Sequence, residues 1–159
     1  MRPPSSVRIF EGRIAVEAWG REGWRTLEPV GVDLGVLEPA LVAWAEPRPG
    51  MPLQIWNHRD RVGRYSTRIR VPASLATDFA SIPVLAQIVM GPKVHYRLAG
   101  LIHDALYRWQ APRQPSDAAF RLVAVAGENG VEPWRGDAGY AALRAFGGRA
   151  YRRYSAGAA

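Results

Sequence analysis

The chain has 159 residues, the size of one domain, and 48% of them are hydrophobic, which excludes a disordered protein and predicts a single domain over residues 1–159. It contains no cysteine, so disulfides and thiolate metal sites are excluded. The net charge of +7 comes from scattered arginines, and the densest cluster, Arg59 to Arg70, is interrupted by Asp60 and fits the solvated face of a strand, so nucleic acid is not indicated as a partner.

The N-terminal segment MRPPSSVRIF lacks the apolar core of a secretory signal. The longest apolar run, Ile82–Met90, contains Pro83 and Gln87 and is far shorter than the roughly 20 residues of a membrane-spanning helix. We therefore expect no transmembrane segment and synthesis in the cytoplasm.

Residues 7–71 have the pattern of β structure. Apolar and polar residues alternate in the segments 7–9 and 14–18, which predicts strands with one face on a core. The glycine-bounded segment Gly20–Gly23 predicts the turn of a hairpin, whose second strand is expected at Trp24–Val30. Further strands are expected at Leu53 with Ile55 and at Tyr65–Val71, after a proline-rich loop at Glu46–Pro52.

Residues 72–154 have the pattern of helices. The expected helices are a short one starting near Ser81–Pro83, a long one from Val94 to Trp109, one from Ser116 or Asp117 to Ala126, and one from Ala138 to Arg153. The pair Gly147–Gly148 weakens the middle of the last helix. The sequence thus predicts an α+β fold in which a small N-terminal antiparallel β region precedes three or four helices.

Reactive side chains concentrate on the long helix and its successor. His103 and Tyr107 are four residues apart and share one helix face, and Asp117 opens the next helix, from which it could reach either of them. A carboxylate that accepts the proton of one imidazole nitrogen leaves the other nitrogen as a general base for water. We therefore assign His103, Asp117 and Tyr107 as candidate catalytic residues.

Two further carboxylates could bind a hard cation. Asp104 projects beside His103, and Asp78 lies in a loop that could fold back next to it. Calcium fits such oxygen donors better than zinc does. Structural interpretations stay open, because Asp78 and Asp117 could be simple N-caps, and His103, Tyr107 and Asp117 could form a purely structural hydrogen-bond network.

Three ordered segments, TDFASIP, GLIHDALY and SDAAF, followed by a glycine-containing helix, resemble a family of small proteins of tailed phages and prophages, catalogued as domain of unknown function family 1353. The resemblance covers roughly residues 69–151. It implies a virion-associated protein in or near the tail, with other phage structural proteins as partners and the virion as its location. It implies no established activity.

The HDxxY segment His103–Tyr107, followed by a helix beginning DxAF, is also similar to the short prokaryotic phospholipases A2. This resemblance implies that His103 activates water, Asp104 binds calcium, Asp117 orients His103 and Tyr107 supports the pair. It implies a calcium-dependent ester hydrolase acting on lipid of the host envelope. The disulfides and the glycine-rich calcium loop of those enzymes are missing here.

The sequence also bears on two other functional classes. An HD-type phosphohydrolase needs a further histidine on a separate helix, and His95 lies on the same predicted helix as His103, which argues against that class. A nucleic-acid-binding module stays open and would show strongly salt-dependent binding.

Overall fold

The computed structural model describes residues 6–20, 23–78, 84–127 and 130–156. Seven strands are present in this part of the chain: β1 (Arg8–Glu11), β2 (Val16–Trp19), β3 (Gly23–Thr26), β4 (Val30–Asp33), β5 (Gln54–Arg59), β6 (Tyr65–Val71) and β7 (Ala76–Thr77). Six α-helices accompany them: α1 (Pro39–Ala45), α2 (Val84–Met90), α3 (Arg97–Arg108), α4 (Arg113–Ala126), α5 (Pro133–Phe146) and α6 (Gly148–Ala156). The α+β prediction is confirmed, with more helices than the three or four expected.

The larger sheet has the strand order β1-β4-β6-β5 and is antiparallel throughout. In β6 the side chains of Thr67, Ile69 and Val71 are buried while those between them are half-buried, so one face of the sheet covers the core. The predicted strand at Tyr65–Val71 is confirmed to the residue.

The smaller sheet has the order β2-β3-β7. The predicted hairpin pairs Val16 with Thr26, although part of its turn lies outside the described residues. The single strand expected at Trp24–Val30 was wrong, because β3 ends at Thr26 and β4 begins at Val30 in the other sheet. Pro29 lies between the two strands and has no amide to donate to a sheet. At the end of β3, the Thr26 hydroxyl donates to the carbonyl of Pro72 at 3.1 Å.

Helix α1 lies inside the segment that was expected to be entirely β. Pro39 starts the helix, where its fixed φ suits the first turn and its missing amide costs nothing. Leu41 and Ala45, four residues apart, both face the core. This short amphipathic pattern was too brief to stand out from the surrounding β signals.

The long helix expected from Val94 begins instead as a 3₁₀ turn, Lys93–Tyr96, and becomes α3 at Arg97. The next helix starts at Arg113, not at Ser116 or Asp117, because extended Pro112 forms its N-cap. Asp117 is therefore not an N-cap, and its carboxylate is available for other partners. The predicted start of the short helix near Ser81–Pro83 lies outside the described residues, and α2 is described from Val84.

The helix expected from Ala138 to Arg153 is two helices, α5 and α6, divided at Gly147. A Cβ atom at Gly147 would lie 2.5 Å from the carbonyl oxygen of Leu143 and 2.8 Å from the hydroxyl of Tyr107. The glycine is therefore required by this close approach. The break directs α6 back onto α3.

Helix α3 occupies the centre of the helical half, packed between α4, α6 and the sheets. Its residues from Ala99 to Tyr107 are all buried, including His103 and Asp104. Within the described part of the chain, no helix combines the length and hydropathy needed to cross a bilayer.

Candidate active site

The centre of the site is the carboxylate of Asp117, whose side chain is fully buried on α4. Its Oδ1 atom lies 2.8 Å from Nε2 of His103 and accepts a hydrogen bond from the hydroxyl of Tyr107 at 2.6 Å. Its Oδ2 atom accepts a hydrogen bond from Nη1 of Arg144 at 3.0 Å. Three of the predicted site residues are thus in direct contact.

These donors keep Asp117 ionised. Burial on its own would raise the pKa of this carboxyl group, but the hydrogen bonds from His103, Tyr107 and Arg144 outweigh burial and hold the pKa below its ordinary value of 3.8. A charge-assisted network of this kind favours one arrangement of its members, because each buried donor would otherwise lose its partner.

Tyr107 is held by two neighbours. Burial, together with the bond to the Asp117 carboxylate, raises the pKa of Tyr107 far above its usual value, so the phenol stays protonated and donates to Asp117. Nε of Arg113 donates to the same hydroxyl oxygen at 3.3 Å, and its Nη2 atom donates to the carbonyl oxygen of Leu143 at 3.0 Å. Arg113 therefore joins the network to the C-terminal end of α5.

His103 connects this network to a small cavity. Its side chain is 4% exposed, and the bond from Nε2 to the ionised Asp117 indicates the tautomer that carries its proton on Nε2. Among the described residues, Nδ1 has no hydrogen-bond partner. The ring lines a cavity of about 40 Å³, which is room for water molecules.

Asp104 and Asp78 line the same cavity, as do Tyr154 and Arg153 of α6. Strand β7 brings Thr77 beside α3, where its hydroxyl donates to Oδ2 of Asp104 at 2.5 Å and the amide of Asp78 donates to the same oxygen at 3.2 Å. The predicted proximity of the two carboxylates is present, through the short strand β7. Asp117 itself does not line the cavity, because His103 and Tyr107 lie between.

The oxygen donors of the cavity are those of a hard cation. The described residues supply two carboxylate side chains there, and within the described ranges no group of three or more His, Asp or Glu side chains could hold a metal ion. Calcium takes six to eight oxygen ligands. Two carboxylates cover only part of that shell, so the described donors fit calcium in chemical type and not in number.

The sequence interpretation missed the two arginines of the network. Arg144 lies in the last turn of α5, and Arg113 stands in what was expected to be a loop between helices. No spacing rule connects either residue with His103, since their approach depends on how α4 and α5 pack. The only available signal was the Gly147–Gly148 pair, which marks a close approach. His58 and His95 do not line the cavity or bond to the network.

Searches among curated proteins and among solved structures gave no match to the chain. One family model, described as protein of unknown function (DUF1353), matches residues 56–143, from β5 to the last turns of α5. The matched range is more than half of the chain and contains Asp78, His103, Asp104, Tyr107 and Asp117. The resemblance of the three motifs is thereby confirmed, and the chain belongs to the DUF1353 family.

Proposed function

We propose that the chain is a hydrolase in which His103 activates a water molecule as a general base and Asp117 orients it. The observation that carries this proposal is the arrangement of the imidazole, with Nε2 bonded to a fully buried carboxylate and the ring lining a cavity of water-molecule size. A histidine that only held the fold together could make the same bond to Asp117 without lining a cavity.

The chemical step follows from this arrangement. Nδ1 of His103 accepts a proton from water as the water oxygen forms a bond to the carbonyl carbon of an ester. The same proton then passes to the departing alkoxide oxygen, so the imidazole returns to its neutral form. Asp117 stabilises the imidazolium between these two transfers, and positioned acid–base groups of this kind contribute about 10²- to 10⁴-fold.

The size of the cavity limits what can enter. About 40 Å³ has room for water, whereas the ester and its acyl chain would have to remain at the mouth of the cavity. Arg153 and Tyr154 of α6 line the cavity and are the side chains that such an outer part would meet. Together with the similarity of the HDxxY segment to phospholipases A2, this supports an ester of an envelope lipid as the substrate class.

Calcium belongs to this proposal as a cofactor. Asp104 and Asp78 would hold the ion, which when bound would supply positive charge near the reacting oxygen. The expected measurement is a rise of the melting temperature in millimolar calcium that Asp104→Asn abolishes, since a ligand stabilises the state that binds it. A melting temperature that calcium does not change would contradict the calcium site but not the role of His103 as general base.

The general base is tested with His103→Gln, whose amide can still donate to Asp117 and preserve the fold. We expect hydrolysis of phosphatidylglycerol vesicles and of a short-chain nitrophenyl ester to fall at least about 100-fold. The matched control is His95→Gln, an exposed histidine, which should keep full activity. If the wild-type protein cleaves neither substrate, or if His103→Gln retains activity, the site is not this hydrolase. If the variant unfolds, the network is structural.

We also propose that the protein is part of a phage virion, in or near the tail, with other structural proteins as its partners. Support comes from the resemblance of the three motifs and from large exposed side chains on the hairpin of the smaller sheet. Arg25 covers Trp19, which is 50% exposed, on one face of the hairpin, and Trp24 is 42% exposed on the other face. Exposed tryptophan and arginine are typical of protein interfaces. Mass spectrometry of purified particles tests the proposal, and absence of the chain from particles that contain every tail protein contradicts it.

A further inference from the structure

Two adjoining grooves lie at the turn between β5 and β6, and we refer to them as the arginine grooves. They share Arg8, Asp60 and Arg64, and each has a volume of about 430 Å³. One also contains Tyr65, and the other also contains His58, Arg59 and Arg61. They are therefore some ten times larger than the cavity at His103 and are open to solvent-borne ligands.

The positive charge of the arginine grooves is not balanced from within. Asp60 accepts the amides of Val62 and Arg64 at 3.0 and 2.8 Å, and its other oxygen accepts Nε of Arg64 at 3.0 Å. Asp60 is thus engaged in holding the turn. In contrast, exposed Arg8, Arg59 and Arg61 have no carboxylate partner among the residues that the structure describes.

Asp33, the second acidic residue that lines the arginine grooves, is also engaged. Oδ2 of Asp33 accepts Nε of Arg68 at 2.9 Å in a largely buried ion pair, and its Oδ1 accepts the amide of Gly35 at 2.8 Å. Neither carboxylate therefore cancels the three unpaired guanidinium groups. Such a concentration of unpaired positive charge attracts phosphates and raises their local concentration.

An aromatic ring lies beside these charges. Tyr65 is 54% exposed, and the guanidinium carbon of Arg59 is 5.7 Å from the centre of its ring. Gly63 has a φ of 85°, a backbone conformation that favours glycine, and the guanidinium group of Arg59 lies against this turn. An exposed ring next to unpaired arginines in a concave surface is the combination with which proteins hold single-stranded nucleic acid.

We propose that the arginine grooves bind single-stranded nucleic acid, with Arg8, Arg59 and Arg61 contacting phosphates and Tyr65 stacking on a base. The concave shape favours a strand over a bilayer, because a bilayer contact needs a protruding apolar segment and the turn exposes one apolar side chain, Val62. The scattered charges of the sequence did not indicate this partner. Arg8 lies more than 50 positions from Arg59 and Arg61 in the sequence, and all three line one groove in the folded chain.

The test is fluorescence anisotropy with a labelled oligothymidylate of about 20 nucleotides, which exceeds the usual site size of one small domain. Three phosphate contacts predict that the logarithm of the affinity falls with the logarithm of the salt concentration with a slope of about −2. Arg61→Ala should reduce that slope by about 0.7, while the matched control Arg149→Ala, an exposed arginine of α6, should leave it unchanged.

Tyr65→Ala separates stacking from charge. We expect it to weaken binding by roughly 5- to 150-fold with an unchanged salt slope, and a duplex of the same length to bind more weakly, since its bases cannot reach the ring. Absence of binding at low salt overturns the proposal, as does an equal loss in Arg149→Ala. Binding to vesicles of anionic lipid without binding to the oligonucleotide would assign the surface to a membrane instead. Circular dichroism confirms that each variant is folded.

Discussion

Replacement of Asp117 by asparagine removes the charge from the centre of the network while keeping its size. The amide oxygen can still accept from both His103 and Tyr107, but the amide nitrogen must then face Arg144, which is also a donor. The guanidinium of Arg144 is 38% exposed and can turn to water, so its loss contributes little. The loss of stability therefore comes mainly from the two buried donors.

The magnitude follows from the strength of those bonds. A hydrogen bond to a charged group contributes about 1.5–3 kcal/mol and a neutral one about 0.5–1.5 kcal/mol, so two bonds together lose roughly 2–3 kcal/mol. Relief of the cost of burying a charge offsets part of this loss. We expect Asp117→Asn to lower the free energy of unfolding by about 2 kcal/mol, a large share of the 5–15 kcal/mol of an ordinary domain.

Urea denaturation followed by tryptophan fluorescence measures this difference at neutral pH. The matched control is Asp137→Asn, which removes a surface ion pair with Arg121 and should cost less than about 1 kcal/mol. A loss below that limit for Asp117→Asn would refute the reasoning, because the buried network would then contribute no more than a surface pair.

The contribution of Asp117 to stability should also depend on pH. Because the pKa of Asp117 is lowered in the folded protein, the unfolded chain binds more protons in the interval between the folded pKa and the ordinary 3.8. The contribution of Asp117 to stability is therefore complete above that interval and is lost as the pH falls through the folded pKa. Denaturation of Asp117→Asn should be less sensitive to acid than that of the wild type.

Three other changes test the packing around the site. Gly147→Ala should cost about 1–3 kcal/mol and lower the melting temperature in calorimetry, because its Cβ would collide with Leu143 and Tyr107; an unchanged melting temperature would mean that α5 and α6 can move apart. Phe120→Ala should cost about 3–5 kcal/mol, since the ring is fully buried, whereas exposed Phe146→Ala should cost little; equal losses in denaturation would contradict the assigned core. Burial and the nearby Asp104 and Asp78 raise the pKa of Tyr154 to about 12. The wild type should therefore lose stability between about pH 10 and 12 relative to Tyr154→Phe. If the stability of the two proteins depends on pH in the same way, this phenol is not buried near the carboxylates.

Part of the fold could be predicted because its signals are local. Alternation in Tyr65–Val71 and the glycine-bounded hairpin depend on neighbouring residues, and both strands are present. Helix α1 and the start of α4 were mispredicted because prolines, placed at the first turn of one helix and at the N-cap of the other, acted as starts rather than as breaks.

The candidate site divides in the same way. His103 and Tyr107 share a face because an α-helix repeats every 3.6 residues, and that relation is contained in the sequence. The short connection between α3 and α4 predicted that Asp117 could reach either of them, and in the structure it bonds to both. The position of Asp104 against Thr77 depends on β7, a strand of two residues that no sequence pattern marks.

The sequence by itself determined the order of β and helical parts, the helix pair that carries His103 and Asp117, and membership of the DUF1353 family through residues 56–143. The tertiary structure decided which atoms meet: Arg144 and Arg113 join the network from helices that are distant in the chain, and Arg8 joins the hairpin arginines through the sheet. Local patterns specify periodicity and the ends of elements. Contacts between distant side chains depend on the packing of whole elements, which is a property of the complete fold.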